Sequence, residues 1–307
     1  MDVDSRLKTA LDESRLLILG AQVLFGFQFE AVFQERFPEI SGNSQMIHNT
    51  GLVLLLISIS LLIAPSLFHQ IIFRGESRPA AIDAATLLAG ASLLPLTVGL
   101  GISAFVVFEH LFGRTVGVLI GTAFTAIGLA LLYGLGFALK RNRKKLEKSS
   151  EKNHMQETSR TTPLKTKIEQ MLTEARVIIP GGQALLGFQL VATLTKAFNE
   201  LPALFKYIHC AGLCAVALAV VLLMTPAAVH RLGFQGEDDT EFFRIGSRLV
   251  IAASIPLAIG ISSDVAVVFF KTTESTSVAL SAGAAALLAL LGLWLAYPLW
   301  HRVRQPA

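Results

Sequence analysis

Cysteine is almost absent from this chain, with two residues in 307, and charge is scarce, at 16% of residues. Two cysteines one helical turn apart, Cys210 and Cys214, build no disulfide framework, and so few charges leave too little polar surface to coat a water-soluble domain. The P-loop, His-Glu-x-x-His and Gly-x-Ser-x-Gly motifs are all missing. The glycine-bearing stretches "HQIIFRGES" and "HRLGFQGEDD" follow no strand, so they are not phosphate-binding loops. An enzyme is therefore not expected, nor a cofactor. A metal is not expected either: His48 and His69 lie at opposite ends of one hydrophobic segment, about 31 Å apart in a helix. His69 and His230 could meet between segments, with contact to a loop as the simpler expectation. Cys210 and Cys214 are expected to be small packing residues.

What is present is apolar: 53% of residues, with a mean hydropathy of +0.60. Runs of about 20 apolar residues cross a bilayer as helices, because lipid offers the backbone no other hydrogen-bond partners. Such runs lie at about Leu16 to Phe33, Ile47 to Ile72, Ala80 to Phe108 and Val116 to Leu139, then at Val177 to Ala197, Tyr207 to Leu232, Phe243 to Phe270 and Val278 to Trp300. Eight spans are predicted, in an all-α integral membrane protein. The polar start "MDVDSRLKTALDESR" lacks the apolar core of a signal peptide, so the first span is expected to stay. Of 26 Lys and Arg residues, only Arg36, Arg114, Lys196, Lys206 and Lys271 fall on the side opposite the N-terminus. That imbalance predicts a multi-pass protein with both termini cytoplasmic. The basic stretch from Lys140 is read as a solvated tether able to touch anionic lipid; without interleaved aromatics it does not suggest nucleic acid. Trp294, Tyr297 and Trp300, followed by Arg302 and Arg304, are expected to anchor the cytoplasmic interface.

The chain repeats itself at an offset of 161 residues. Glu13, Arg15, Gly20, Gln22, Gly26, Phe27 and Gln28 recur as Glu174, Arg176, Gly181, Gln183, Gly187, Phe188 and Gln189; His48, Gly51, Pro65 and His69 recur as His209, Gly212, Pro226 and His230. The register also carries Pro95 and Gly99 onto Pro256 and Gly260. A tandem duplication follows, with a first repeat at 1–139, a linker at 140–173 and a second repeat at 174–307. Four helices per unit make the repeats parallel, which predicts a pseudo-twofold axis along the membrane normal and an isologous contact between the halves.

The pattern Glu13, Arg15, Gly20, Gln22, Leu24, Phe27, then Arg36 and Phe37, then Ala64, Pro65, His69, Phe73 and Arg74 resembles a bacterial family of small four-helix membrane proteins of unknown function. Its members often bear the automatic label sodium:proton antiporter. The resemblance implies the bacterial inner membrane and ion exchange; the second copy fits it less well, with Lys196 and Asn199 around Phe198.

Candidate residues follow from position. Gln22 and Gln183, with Gln28 and Gln189, are polar groups inside spans; they either glue helices together beside close-packing glycines or line a path at the pseudo-twofold axis. Two carboxylates break the repeat: Glu30 stands where the second copy has Val191, and Asp264 stands where the first has Ser103. Both are candidate ion or proton sites. Pro95 with Gly99, and Pro256 with Gly260, are candidate kinks or breaks that free carbonyls for a cation. Gly113, Gly117 and Gly121 predict a close-packing helix face. The expected activities are secondary transport of a small cation with proton coupling, a non-transporting scaffold that binds a partner, or a passive pore along the axis, in a monomer of fused repeats or a homo-oligomer.

Overall fold

The computed structural model describes residues 3–130, 133, 162–232 and 238–304, with side chains from Leu17 onward in the first helix. Among the described residues, each repeat carries four long helices. The first carries α1 (Val3–Ala31), α2 (Gly42–Ile71), α3 (Pro79–Phe112) and α4 (Arg114–Leu129). The second carries α5 (Leu164–Ala192), α6 (Ala203–Leu232), α7 (Thr240–Thr273) and α8 (Thr276–Leu291). A π-helical turn, Gly292–Ala296, and a last helical stretch, Tyr297–Arg304, follow α8. No strand occurs among the described residues. Among the described residues, six helices are long and apolar enough to cross a membrane by length and composition, and the apolar stretches described in α1, Leu17–Ala31, and in α4 are shorter.

Side chains cap these helices where spans meet loops. Ser41 accepts from the Ser44 amide at the start of α2, Asp239 from the Glu241 and Phe242 amides at α7, and Ser275 from the Val278 amide at α8, each satisfying an orphan N–H. The repeat extends to a positive φ at the turn between the third and fourth helices, though ψ differs there. Gly113, with φ of 87°, turns α3 into α4, and its equivalent Glu274 turns α7 into α8 at φ 53°. Glycine adopts that region freely, whereas a side chain there costs about 1–2 kcal/mol. Helix α5 begins at Leu164 rather than Glu174, because Ile168, Gln170 and Met171 are buried and pull the end of the expected linker into the fold. Residues 140–161 of that linker, with their anticipated contact to anionic lipid, lie outside the described residues.

Neither α3 nor α7 is broken at its proline. Instead the paired glycines bring helices together. Gly99 packs on Leu55 and lies near the Gly51 carbonyl, and Gly260 packs on Val216 near the Gly212 carbonyl. Both repeats therefore use Pro-x-x-x-Gly for close approach to the second helix. Gly117 and Gly121 do the same between α4 and α3, against Glu109 and Phe105. One apolar core runs through both repeats, from Ile18, Phe25 and Phe29 to Phe198, Leu257 and Trp294. Trp294 is a correction to the expected interfacial anchor: it is fully buried, and its Nε1 donates to the Ser60 carbonyl of α2 at 3.0 Å. The π-helical turn re-aims it inward, while Tyr297 and Trp300 stay exposed and Arg304 stacks 4.0 Å over Trp300.

Helices α1 and α5 pack against each other, but not reciprocally. Phe27 and its equivalent Phe188 do meet, with ring centroids 4.9 Å apart. Gln22 presses on Gly181, where no Cβ would fit, whereas a Cβ on Gly20 would meet nothing and its would-be partner Gln183 is exposed. An isologous contact would have used both pairs.

Candidate functional site

Equivalent polar clusters lie in the two repeats toward the end of the bundle opposite the start of the chain. In the first, Gln28 Nε2 donates to Ser103 Oγ at 2.7 Å, and Ser103 in turn donates to the Gly99 carbonyl at 2.9 Å. His48 Nε2 donates to the Gln28 carbonyl at 3.0 Å, and Phe37 meets the His48 ring edge to face. In the second, His209 Nε2 donates to the Gln189 carbonyl at 3.0 Å, and Phe198 meets the His209 ring in the same way. The frame is shared. Gln28 and Gln189 sit one helical turn or less from the ends of α1 and α5, where a histidine early in the next helix can reach their carbonyls.

Asp264 is what differs. It occupies the Ser103 position, and Gln189 Nε2 donates to both its oxygens at 2.9 Å. The carboxyl is 0% exposed. Among the described residues no Lys, Arg or His nitrogen forms an ion pair with it, and Gln189 Oε1 is buried without a hydrogen-bond partner, as is His209 Nδ1 of the same cluster. A carboxylate offers about four lone-pair sites, and one amide fills few of them. An ionised carboxylate in an apolar interior costs several kcal/mol unless it is compensated. This group therefore has use for a proton or a small cation, which Ser103 does not.

The other carboxylate is placed differently. Glu30 lines an open groove of about 650 Å³ between α1 and α5, with Val23, Phe27, Ala184, Phe188 and Val191. Gln34 donates to its Oε1 at 3.0 Å, and its Oε2 has no partner among the described residues. The groove is apolar apart from these two side chains. Glu30 and Asp264 are not brought together, and Asp264 does not line the groove. Nor do the four glutamines share a path: Gln22 is packed between the repeats, Gln183 is exposed, and Gln28 and Gln189 each turn into their own repeat. Gln28, His48 and Ser103 instead line a second cavity of about 370 Å³ against α3.

A third cluster was not anticipated. His69 Nδ1 lies 2.6 Å from Glu174 Oε1, and Gln70 Nε2 donates to Glu174 Oε2 at 2.5 Å, all fully buried. It joins α2 of the first repeat to α5 of the second, so it locks the repeats together near the end where the chain starts. His69 thus does not meet His230, which stacks on Phe242; its contact with a loop is through its backbone carbonyl, which accepts from the Gly75 amide at 3.1 Å. The signal for it was that Glu174 and His69 are both repeat-shared residues. Beside it, outside the spans, Glu76 accepts from Lys167 Nζ at 2.5 Å and from the Thr162 amide at 3.0 Å. Burial alone would raise the Glu76 carboxyl, but these donors more than offset it and hold it below the ordinary carboxylate value. Cys210 and Cys214 are free and exposed, rather than packed. Among the described residues no three His, Cys, Asp or Glu side chains gather to hold a metal.

A family model described as a family of unknown function (DUF6328) matches the chain twice, over residues 2–136 and 157–298. No curated protein and no solved structure matches it.

Proposed function

Because the chain belongs to this family of unknown function and carries its unit twice, we propose that it is an eight-span membrane protein whose second repeat has been specialised for ion coupling. Its activity is secondary transport of a small cation with proton exchange, and Asp264 is the group that takes the proton and the cation in turn. The observation that carries this reading is the substitution of a buried, amide-held carboxyl for Ser103 inside an otherwise shared frame. Intramembrane carboxyls are costly and mark ion or proton steps in transporters. Gln189 orients the carboxyl through Nε2, and its free Oε1 is a second oxygen for a cation; His209 fixes Gln189 through its backbone carbonyl. The inner membrane, with both termini cytoplasmic, belongs to the same proposal. In proteoliposomes, Asp264→Asn keeps the size and the Gln189 contact while removing the charge. It should reduce cation-driven proton movement at least tenfold, and unchanged movement in a folded variant would sink the assignment.

A second reading is favoured by one observation: α1 and α5 pack tightly at Gln22, Gly181 and Phe25, and the groove beside them is apolar. That dry contact suits a scaffold more than a pore along a repeat axis. Wild-type protein that moves no ion down any imposed gradient would favour it.

A further inference from the structure

The contact between the repeats is one-sided. Along α1 and the turn that follows it, Gln22, Gly26, Phe29 and Phe33 are buried against the second repeat; their equivalents along α5 and its following turn, Gln183, Gly187, Leu190 and Leu194, are exposed throughout. Leu194 is 84% exposed. The surface that receives α1 shows the converse. In the second repeat, Phe29 stacks on His209 at 5.7 Å and Phe33 lies against Phe198 at 6.2 Å. Asn49 of α2 donates to Thr272 Oγ1 at 2.5 Å, and Val268 is 0% exposed. In the first repeat the same surface, built on His48 and Phe37, is the open cavity of about 370 Å³, where Val107, the equivalent of Val268, is 53% exposed and Leu111, the equivalent of Thr272, is also exposed. Whole helices follow suit. The apolar window of α2 is 78% buried against 33% for its equivalent α6, and that of α7 is 72% buried against 39% for α3.

Each repeat thus has an inserting face and a receiving face, and the chain uses one of each. A lipid-facing glutamine is a poor arrangement for mid-span, and Gln183 has a vacant counterpart in Gly20. We infer that a second copy of this chain docks head to tail, with α5 and α6 of one copy seated on the α1 to α3 cavity of the other as α1 and α2 are seated on the second repeat. Head-to-tail contacts of this kind form rings where the rotation between units closes, and two chains, with the Cys210-to-Leu111 contact made once in each direction, are the fewest that can do so. Gln183 then lies on Gly20, Leu194 on Phe37, and Cys210, the equivalent of Asn49, beside Leu111.

The last pair supplies the test. In membranes holding the full chain, Leu111→Cys in a Cys214→Val background should form chain-to-chain disulfides with native Cys210 under added oxidant. Both positions are exposed, so folding is not at stake. The cross-link should vanish in Cys210→Asn and be absent when the new cysteine is instead at Leu288, an exposed site on α8. In lipid discs the native mass should be that of two or more chains, and Leu194→Arg should shift most of it to the monomer. A monomeric mass with no cross-link would overturn the inference, leaving lipid as the occupant of both faces. Cross-links joining only like positions, Leu111→Cys to Leu111→Cys, would equally overturn it, since they report an isologous pair.

Discussion

The two repeats hold the same glutamine, the same histidine and the same phenylalanine in the same bonds, yet one closes the cluster with Ser103 and the other with Asp264. A hydroxyl satisfies itself by donating to the carbonyl of Gly99; a carboxyl in the same place has lone pairs to spare and a charge to compensate. Equal frames with unequal centres suggest that the fold needs the frame twice and the activity needs the carboxyl once. The same lesson holds at the surface, where the stripe of Gln22 is covered and the stripe of Gln183 is bare.

This comparison can be broken most strongly where the repeats meet. Glu174→Ala strips the buried partner from His69 and Gln70, and leaving a buried donor unsatisfied costs about 1–3 kcal/mol for each group. Thermal unfolding in detergent should show that loss, and a loss under about 1 kcal/mol would deny the cluster its locking role. Next in size, Gly181→Val forces a side chain into Gln22, with an overpacking cost of about 1–3 kcal/mol, whereas Gly20→Val at the equivalent position should leave the isolated chain's stability unchanged. Equal effects of the two variants would mean that the contact is reciprocal after all. Ser103→Asp sharpens the comparison instead of breaking it. With Gln28 placed as Gln189 is, the first repeat should gain a second titrating carboxyl, read as a rise in protons taken up per chain on acidification. The smallest effect belongs to Glu76. Its carboxyl is held below the ordinary value in the folded chain, so its contribution is present above the unfolded value of about 4.5 and disappears as pH falls through the lower folded value. For a pair near the surface this is about 1 kcal/mol or less. Melting curves of Glu76→Gln should therefore converge with wild type as pH falls through that lowered value.

Much of the fold was legible because membrane solvent leaves apolar chain little choice but helix, and because the register of 161 residues carries from Glu13 through Gly260. The site was legible in halves. Asp264 stood out against Ser103, and Gln189 against its surroundings, but nothing in linear spacing joins residues 75 apart on two helices. What sequence could not carry is the asymmetry. Repeat equivalence predicts equal surroundings for Gln22 and Gln183, and for His69 and His230; the junction instead joins unlike faces of the two units, so one of each equivalent pair is inside it and the other outside. The expected twofold contact failed for that reason, and Trp294 was misplaced because a π-helical turn shifted its face.

The central claim is that Asp264 couples proton to cation, and cation-driven acidification in proteoliposomes, followed with an entrapped pH dye, tests it most directly. The account predicts a wild-type signal that falls at least tenfold in Asp264→Asn and persists in Ser103→Ala. Equal signals in wild type and in a folded Asp264→Asn variant would contradict it.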